Sequence, residues 1–210
     1  MPGEQGVKPV RAITWADAGD REAALVAQCI AGDDGACSSL VAEHQRMVYQ
    51  LAFHLLADHN DALDLSQDVF LQVFRMLPRF RGQSTLKTWI YRIVVNQCRN
   101  RHRWWKRRRR DKALPIEELT ASENAQLVVP RPDGPEEQLS RREQSARVQR
   151  ALQKLSIDHR AVLVLREVED LSGTEIAETL GVAEGTVKSR LARARDALRI
   201  ALLAPEGNGA

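Results

Sequence analysis

Residues 80–110 read FRGQSTLKTWIYRIVVNQCRNRHRWWKRRRR and form the densest mixture of aromatic, aliphatic and cationic side chains in this 210-residue chain. Ser84 or Thr85 can cap a helix here, because a hydroxyl oxygen accepts a hydrogen bond from an otherwise unpaired backbone N–H. From that cap onward apolar residues recur with a helical period, which predicts one stripe facing a core. The stripe consists of Leu86, Trp89, Ile90, Ile93 and Val94.

The opposite side of the predicted helix carries hydrogen-bond donors about once per turn, an arrangement that suits a phosphate backbone. Trp104 and Trp105 follow among basic residues, and their ring faces are of the kind on which bases stack. The alternative is a solvated basic helix end favoured by its dipole. That alternative leaves two adjacent tryptophans unexplained. The donors are Thr88, Arg92, Asn96, Arg99 and Arg103.

Charge is unevenly distributed along the chain, although the formal net charge is only +3. Residues 99–110 are nearly all basic, whereas residues 58–68 and 117–137 lean acidic. With 43% hydrophobic residues, the chain has room for the cores of one or two ordinary domains. The placement of charge therefore tells more about partners than its total does.

The three cysteines, Cys29, Cys37 and Cys98, show no CxxC spacing. We expect buried thiols in a reducing cytosol rather than a disulfide framework or a zinc site. The histidines lack carboxylates or cysteines at ligand spacing, so no metal or cofactor is expected. No apolar segment reaches the length that spans a bilayer, and no basic leader precedes an apolar run. The sequence predicts a soluble, cytoplasmic protein without membrane insertion.

Three helices are predicted before the opening segment, over residues 20–31, 36–57 and 60–77, and residues 1–19 are interpreted as a loose tail. Pro78 ends the third helix, because proline disfavours helical geometry in the residue before it. On that helix an apolar arc meets several carboxylates, a combination typical of a docking face for a basic protein partner. Complementarity to the helix dipole is the other explanation for the carboxylates.

Residues 111–137 combine prolines with acidic residues and show no sustained period, which predicts a flexible linker between two domains. Beyond it, Ser172 and Glu175 fit a capping box, and Gly181 can take the left-handed conformation that ends a helix. The last predicted helix, residues 184–203, buries an apolar stripe and turns a basic face outward. These features predict a helix-turn-helix whose second helix can enter a major groove; the alternative is an ordinary helical hairpin. Outward residues are Lys188, Ser189, Ala192 and Arg193, and inward ones are Val187, Leu191, Ala194 and Leu198.

Three motifs resemble those of the extracytoplasmic-function group of bacterial sigma factors, the promoter-specificity subunits of RNA polymerase. Residues 61–70, DALDLSQDVF, are similar to the family's polymerase-binding motif. Residues 80–96, FRGQSTLKTWIYRIVVN, are similar to its promoter-opening and minus-ten segment. Residues 170–199, DLSGTEIAETLGVAEGTVKSRLARARDALR, are similar to its minus-thirty-five reader. Their order around an acidic linker is more specific than any one of them.

The resemblance implies an all-α protein of two small helical domains joined by a flexible acidic linker, with a helix-turn-helix in the C-terminal domain. It implies a region 2 domain over residues 20–110, a linker over 111–137 and a region 4 domain over 138–204, with tails at 1–19 and 205–210. The implied function is that of an alternative, stress- or signal-responsive sigma factor without catalytic activity. The implied partners are RNA polymerase core enzyme, promoter DNA as duplex and as single non-template strand, and an anti-sigma factor.

Residue roles also follow from the resemblance rather than from the residues alone. Asn96 and the loop 80–83 are implied to shape a pocket for a flipped non-template base. The implied core-polymerase contacts are Asp61, Asp64, Leu65, Gln67, Asp68, Phe70 and Leu71. The implied minus-ten contacts are Phe80, Arg81, Gly82, Gln83, Ser84, Lys87, Thr88, Trp89, Arg92, Asn96, Arg99 and Arg103. The implied minus-thirty-five contacts are Ser172, Thr174, Glu184, Gly185, Thr186, Lys188, Ser189, Arg190 and Arg193.

Three positions depart from the family's usual pattern. Leu63 stands where a glutamate is common and Ser66 where an aliphatic residue is common, so the docking face is less acidic than usual. Ala183 stands where serine or proline often begins the recognition helix, and loss of a cap costs roughly 1 kcal/mol.

The main rival interpretation is a free-standing helix-turn-helix regulator. It explains the C-terminal half but leaves the acidic helix before Pro78 and the basic helix after it without a role. An enzyme acting on nucleic acid is not expected, because the sequence has no glycine-rich phosphate loop, clustered catalytic carboxylates or paired nucleophile and base.

Overall fold

The computed structural model describes residues 20–111 and 135–204, which form eight α-helices and one short 3₁₀ turn without a β-strand. The all-α prediction is confirmed. The predicted tails at 1–19 and 205–210, and most of the predicted linker, lie outside the described residues. The helices are α1 (Asp20–Ile30), α2 (Asp34–Leu56), α3 (His59–Met76), α4 (Leu86–Asp111), α5 (Pro135–Gln153), α6 (Ile157–Glu167), α7 (Gly173–Leu180) and α8 (Glu184–Leu203).

Side-chain caps determine where α2 and α3 begin. Asp33 accepts a hydrogen bond from the backbone N–H of Ala36 at 2.8 Å, and Asp58 accepts one from that of Asp61 at 2.8 Å. Each carboxylate satisfies a donor that helix geometry leaves unpaired, and each complements the positive end of the helix dipole. Ala57 closes α2 in the left-handed conformation, with φ 60°.

The segment between α3 and α4 turns at Pro78, as the sequence predicts. Pro78 lies in the 3₁₀ turn Leu77–Arg79, and α4 begins at Leu86. Between them Thr85 Oγ1 accepts a hydrogen bond from the backbone N–H of Thr88 at 3.1 Å. The predicted hydroxyl cap is therefore confirmed for Thr85 rather than for Ser84.

Helix α4 is buried on two sides, not on the single predicted stripe. Besides that stripe, Tyr91, Val95 and Cys98 are fully buried, and Thr88, predicted on the polar face, is only 3% exposed. The cause is a second set of neighbours, because α4 packs against α2 and α3 and also against α6 and α7. The spacing of apolar residues along a helix indicates which of its faces are apolar, but it does not indicate how many other elements pack against it.

The C-terminal half follows its local sequence signals closely. Ser172 Oγ accepts from the backbone N–H of Glu175 at 3.2 Å, and Glu175 Oε2 accepts from that of Ser172 at 2.8 Å, which confirms the capping box. Gly181 ends α7 with φ 66°, and Ala183 begins α8 without a side-chain cap. Helix α5 starts at Pro135, inside the predicted linker, because proline fits the first turn of a helix where its missing N–H is not needed.

One continuous apolar core runs through both halves of the described chain. Helices α5 and α6 pack against α2, while α6 and α7 pack against α4. Residues separated by the linker segment therefore bury each other, and the two halves lie in direct contact in this conformation.

Arg160 is the buried charge at the junction of the halves, with a relative exposure of 3%. Its Nε donates to Leu152 O at 2.9 Å, and its Nη2 donates to Gln153 O at 3.0 Å and Leu155 O at 3.2 Å, all near the end of α5. Its Nη1 donates to Leu55 O in the last turn of α2. Burial lowers its pKa to about 10, so it remains charged at neutral pH.

Two of the cysteines are paired, contrary to the sequence-based expectation. A disulfide joins Cys29 in α1 to Cys37 in α2, with the Cα atoms 4.9 Å apart. The tight turn through Gly32, with φ 89°, brings the end of α1 back onto the start of α2. Spacing in the sequence does not reveal such an approach. Cys98 is a buried thiol, as predicted.

Candidate nucleic-acid interface

The loop between Pro78 and α4 is built around an aromatic pair. The rings of Phe80 and Trp89 lie with centroids 5.0 Å apart. Gly82 is buried and has φ 63°, a backbone conformation that a larger residue at this turn would adopt only with strain. Arg81 and Gln83 on either side of it are exposed. The loop thus packs its Phe80 ring against Trp89 of α4, and it leaves the side chains of Arg81 and Gln83 exposed.

A groove of about 720 Å³ opens between this loop and the helix-turn-helix. Asn96 is not among its lining residues, although the sequence placed it in a base pocket with the loop. The helical residues from α4 that do line it are Trp89 and Arg92, and Asn96 lies exposed one turn farther along. The lining consists of Arg79, Phe80, Arg81, Gln83, Ser84, Trp89 and Arg92 on one side, and Thr174, Ala177, Glu178, Gly181, Val182, Ala183 and Glu184 on the other.

The predicted donor face of α4 is engaged by the C-terminal half. Arg92 Nε donates to the backbone oxygen of Glu178 at 3.0 Å. Arg99 Nη2 pairs with Asp158 at 2.8 Å, with only 20% of the arginine side chain exposed. Two of the predicted phosphate contacts therefore have protein partners in this conformation.

A second cross-contact lies beside that face. The hydroxyl of the fully buried Tyr91 donates to Glu169 Oε2. Burial, and then the bond to Glu169, raise the pKa of Tyr91, so its hydroxyl stays protonated. Burial also raises the pKa of the Glu178 carboxyl, and the Arg92 guanidinium opposes that shift. The Tyr91–Glu169 bond thus adds to the contacts of Arg92 and Arg99 that join α4 to the C-terminal half in this conformation.

The rest of the basic segment is partly committed to protein contacts. Arg101 Nη1 donates to Asp61 Oδ1 at 3.1 Å, and Arg103 donates to Asn100. Trp104 is 47% exposed, and the Arg108 guanidinium lies 4.9 Å from its ring centre. This exposed cation–aromatic pair is open to a polyanion.

The acidic helix α3 presents a narrower docking surface than the sequence predicted. Leu65 and Phe70 are buried at 2% and 9% exposure, so they hold the helix in the core rather than face a partner. The remaining predicted residues except Asp61 are exposed, and Leu71 reaches 63%. Exposed members are Asp64, Gln67, Asp68 and Leu71, joined by Leu63 at 42%.

Asp61, at the edge of this surface, is half-buried and bound to Arg101. Burial raises the pKa of its carboxyl, and the Arg101 guanidinium opposes that shift. Asp61 therefore ties α3 to α4 more than it extends the docking surface.

The predicted outward face of α8 is exposed. Lys188, Ser189 and Arg193 are exposed on α8, as predicted, and Val187 and Ala194 are buried beneath them. The burial of Leu191 and Leu198 is only partial. Helix α8 thus offers two cations and a hydroxyl on one outward side.

Other predicted minus-thirty-five residues have structural partners. Thr174 Oγ1 donates to Glu184 Oε1 at 2.7 Å across the turn between α7 and α8. Ser172 is used in the capping box, and Thr186 and Arg190 are half-buried. A Cβ added to Gly185 would meet nothing within 4 Å, so this glycine leaves space on the reading surface.

Sequence analysis missed Tyr91, Glu169 and Arg160, which join the two halves. Arg160 had one detectable signal, a cation next to the apolar run AVLVL in residues 161–165. Tyr91 and Glu169 had none, because each resembles an ordinary helix residue until its distant partner is known.

Within residues 20–111 and 135–204, no helix is long and apolar enough to cross a membrane. The same residues contain no group of three or more histidine, cysteine, aspartate or glutamate side chains arranged to hold a metal ion.

Two protein-family models match the chain, Sigma-70 region 2 over residues 40–110 and Sigma-70 region 4 over residues 145–198. The chain is 34% identical over 183 residues to the RNA polymerase sigma-H factor of Pseudomonas aeruginosa, covering 87% of this chain and 94% of that relative. It is 36% identical over 176 residues to the ECF RNA polymerase sigma factor SigM of Mycobacterium tuberculosis, covering 83% and 81%.

A solved structure resembles most of the chain. It is the co-crystal structure of the sigma factor RpoE with the anti-sigma factor NepR from Bartonella quintana, which matches with a TM-score of 0.62 at 26% identity over 80% of this chain and 97% of that one. The region 2 match covers α3 and α4, the helices that a free-standing regulator leaves without a role.

Proposed function

The chain belongs to the extracytoplasmic-function group of RNA polymerase sigma factors, and we propose that it directs core polymerase to promoters through three separate surfaces. The exposed face of α3 binds core polymerase, the loop 80–85 with α4 binds the opened minus-ten element, and α8 reads the minus-thirty-five element. One observation carries the assignment: each of the three family motifs contributes exposed side chains, on α3, in the loop and on α8 respectively.

The division of labour follows the two halves of the fold. Residues 20–110 form the domain that binds polymerase and the minus-ten element, and residues 138–204 form the domain that binds the minus-thirty-five element, with 111–137 between them. The chain contributes binding to the complex with core polymerase and promoter DNA, and the catalytic centre lies in core polymerase. It acts in the cytoplasm, where core polymerase works.

Promoter binding requires the two halves to separate. Elements centred near minus ten and minus thirty-five are about 25 base pairs apart, or about 85 Å at about 3.4 Å per pair. Here the loop 80–85 and α7 line one groove, so both surfaces cannot engage both elements at once. The segment 112–134 spans about 80 Å when fully extended at about 3.5 Å per residue, so it can bridge most of that distance.

Separation also frees the arginines of α4. Arg92 and Arg99 exchange Glu178 and Asp158 for phosphate oxygens, and the groove becomes accessible to an unstacked base. The contact between the halves is thus a closed state of the same surfaces that bind the promoter. An anti-sigma factor that prefers the closed state would hold the chain inactive, as NepR accompanies the similar RpoE structure.

The direct test is transcription from a panel of promoters by core polymerase with and without the full-length chain. We expect stimulation on a subset of promoters. A lack of stimulation on every template, or tight sequence-specific duplex binding by the chain without polymerase, would overturn the proposal.

Arg193→Ala should weaken transcription from a matched promoter by about tenfold, because loss of an arginine contact to a base edge costs about 1–3 kcal/mol. Arg193 is exposed on the outward side of α8. The measurement compares promoters with matched and mismatched minus-thirty-five elements. Arg199→Ala, on the same helix, is the control and should have little effect. Equal weakening on matched and mismatched promoters would assign Arg193 to phosphate instead.

Arg81→Ala combined with Gln83→Ala should reduce promoter opening by about tenfold, the size expected when a charged hydrogen bond is lost. Both side chains are exposed and line the groove. Permanganate reactivity of unpaired thymines measures opening, and a template mismatched across the start region should restore part of it. Arg46→Ala, an exposed arginine of α2, serves as control.

Asn96→Ala is measured in the same assay of promoter opening. Its result decides whether the base-binding groove extends one turn along α4 when the two halves are separated.

A further inference from the structure

The Cys29–Cys37 disulfide lies where a reagent can reach it. Cys37 is half-buried near the start of α2, whereas Cys29 is 7% exposed at the end of α1. Thiol–disulfide exchange begins when a thiolate attacks an accessible sulfur. Cys98, the third cysteine, is fully buried, and burial raises the pKa of its thiol to about 12, so it is not reactive.

Helix α1 is weakly attached apart from this bond. It has 11 residues, a length at which an isolated helix is marginal in water. Its buried side chains are Val26 and Cys29, and Leu25 packs against the core while partly exposed. The ion pair from Arg21 to Glu43 has side chains 91% and 44% exposed, and such surface pairs contribute little. The disulfide is therefore a principal tie between α1 and the rest of the protein.

Helix α1 in turn supports the loop 80–85 from both ends. Glu22 Oε1 accepts a hydrogen bond from the backbone N–H of Leu86, the first residue of α4, at 3.2 Å. Helix α1 also packs against the 3₁₀ turn Leu77–Arg79 on the other side of the loop. The position of α1 thus determines how both ends of the loop are held.

We propose that Cys29 and Cys37 form a reversible thiol–disulfide pair, and that the oxidised form holds α1 against the loop 80–85 and so favours promoter opening. In oxidation, two electrons and two protons pass from the two thiols to a low-molecular-weight disulfide, which leaves as two thiols while the protein S–S bond forms. Reduction reverses the exchange and leaves α1 held by the packing of Val26 and Leu25, the exposed Arg21–Glu43 pair and the Glu22 bond. The inference rests on the proposed function of the loop.

The chemistry is tested first on the full-length protein without any substitution. The protein is reduced with dithiothreitol, exposed to oxidised glutathione, denatured and alkylated, and its free thiols are counted by mass spectrometry. We expect three free thiols after reduction and one, on Cys98, after oxidation. Three free thiols after oxidised glutathione, or a mixed disulfide with glutathione that does not resolve, would overturn the proposal.

The functional consequence is measured on the holoenzyme. Oxidised protein should open a duplex promoter about threefold to tenfold better than reduced protein. This is the size of effect expected when a hydrogen bond at a helix N-terminus is loosened, here the bond from Leu86 to Glu22. Cys29→Ser and Cys37→Ser should both behave as the reduced form and lose the response to dithiothreitol. Cys98→Ala should keep that response. Glu22→Ala, which removes the acceptor for the Leu86 N–H, should lower opening in both states and narrow the difference between them.

The outcomes separate this inference from the proposed function. Equal opening by oxidised and reduced protein, when both stimulate transcription over core polymerase alone, would overturn the redox inference and leave the function standing. No stimulation in either state would count against both. Because the comparison uses the unsubstituted chain in two redox states, a variant that fails to fold does not decide the result.

Discussion

Arg160→Met should lower the free energy of unfolding by about 3–5 kcal/mol, the largest effect expected from any single substitution here. The guanidinium donates to four backbone oxygens from the ends of α2 and α5. Hydrogen bonds from charged groups contribute about 1.5–3 kcal/mol each, and a buried carbonyl left unpaired adds a cost of its own. Methionine fills much of the space but leaves those oxygens without donors.

Two terms oppose each other at this site, and their magnitudes decide the sign. Burial disfavours the charge, as the lowered pKa of about 10 records. The negative ends of two helix dipoles and four carbonyl bonds favour it. Since the pKa still lies about three units above neutral pH, the charged form prevails and its bonds are intact under ordinary conditions.

Urea denaturation of the full-length protein measures this prediction, and Arg166→Met is the matched control. Arg166 also donates to a backbone oxygen, that of Leu171 at 2.7 Å, but it is exposed. Its replacement should therefore cost under about 1 kcal/mol. If the two variants unfold at the same urea concentration, the bonds of Arg160 contribute no more than those of a surface arginine.

Features specified by neighbouring residues were predicted well from the sequence. Helix α8 has the predicted bounds because its start follows a capping box and a left-handed glycine, and its apolar period is local. Its exposed Lys188, Ser189 and Arg193 follow from the same period. The Thr85 cap and the break at Pro78 are of the same kind, since each depends on a few adjacent residues.

Features that depend on distant partners were not predictable. Arg160 bonds to Leu55 across 105 positions, and no local pattern encodes that contact. Thr88 fits a polar face by period, yet it is only 3% exposed, because helices from both halves of the chain pack against α4. The disulfide escaped prediction for a related reason, because the turn at Gly32 that brings the two cysteines together is set by how α1 packs on α2.

The candidate site was affected in the same way. Leu65 and Phe70 belong to the α3 motif by position, but the packing of α3 on α2 and α4 buries both. Asn96 shares a helical face with Arg92, yet only Arg92 lines the groove beside the loop. The sequence pattern thus predicts candidate surfaces, whereas the fold decides which side chains on those surfaces are exposed.

Asp64→Arg combined with Asp68→Arg should weaken binding to core polymerase by at least about a hundredfold. Both carboxylates are exposed one turn apart on α3, next to the exposed Leu71 and Leu63. Like charges placed against a basic partner cost several kcal/mol, in addition to the attraction that is lost. Neither aspartate caps a helix or lies in the core, so folding should be unaffected.

Pull-down of core polymerase with the full-length variant measures this binding, and circular dichroism checks that the variant is folded. Glu143→Arg combined with Asp196→Arg is the control, because it reverses the same number of charges on exposed residues of α5 and α8. The control should bind core polymerase as the parent does. It loses only the weak surface ion pair between Asp196 and Arg199. Capture of the α3 variant at the control's level would remove α3 from the polymerase interface. If only the α3 variant is lost, the interface is the outward face of α3, with Leu71 and Leu63 supplying the apolar area that the buried Leu65 and Phe70 cannot offer.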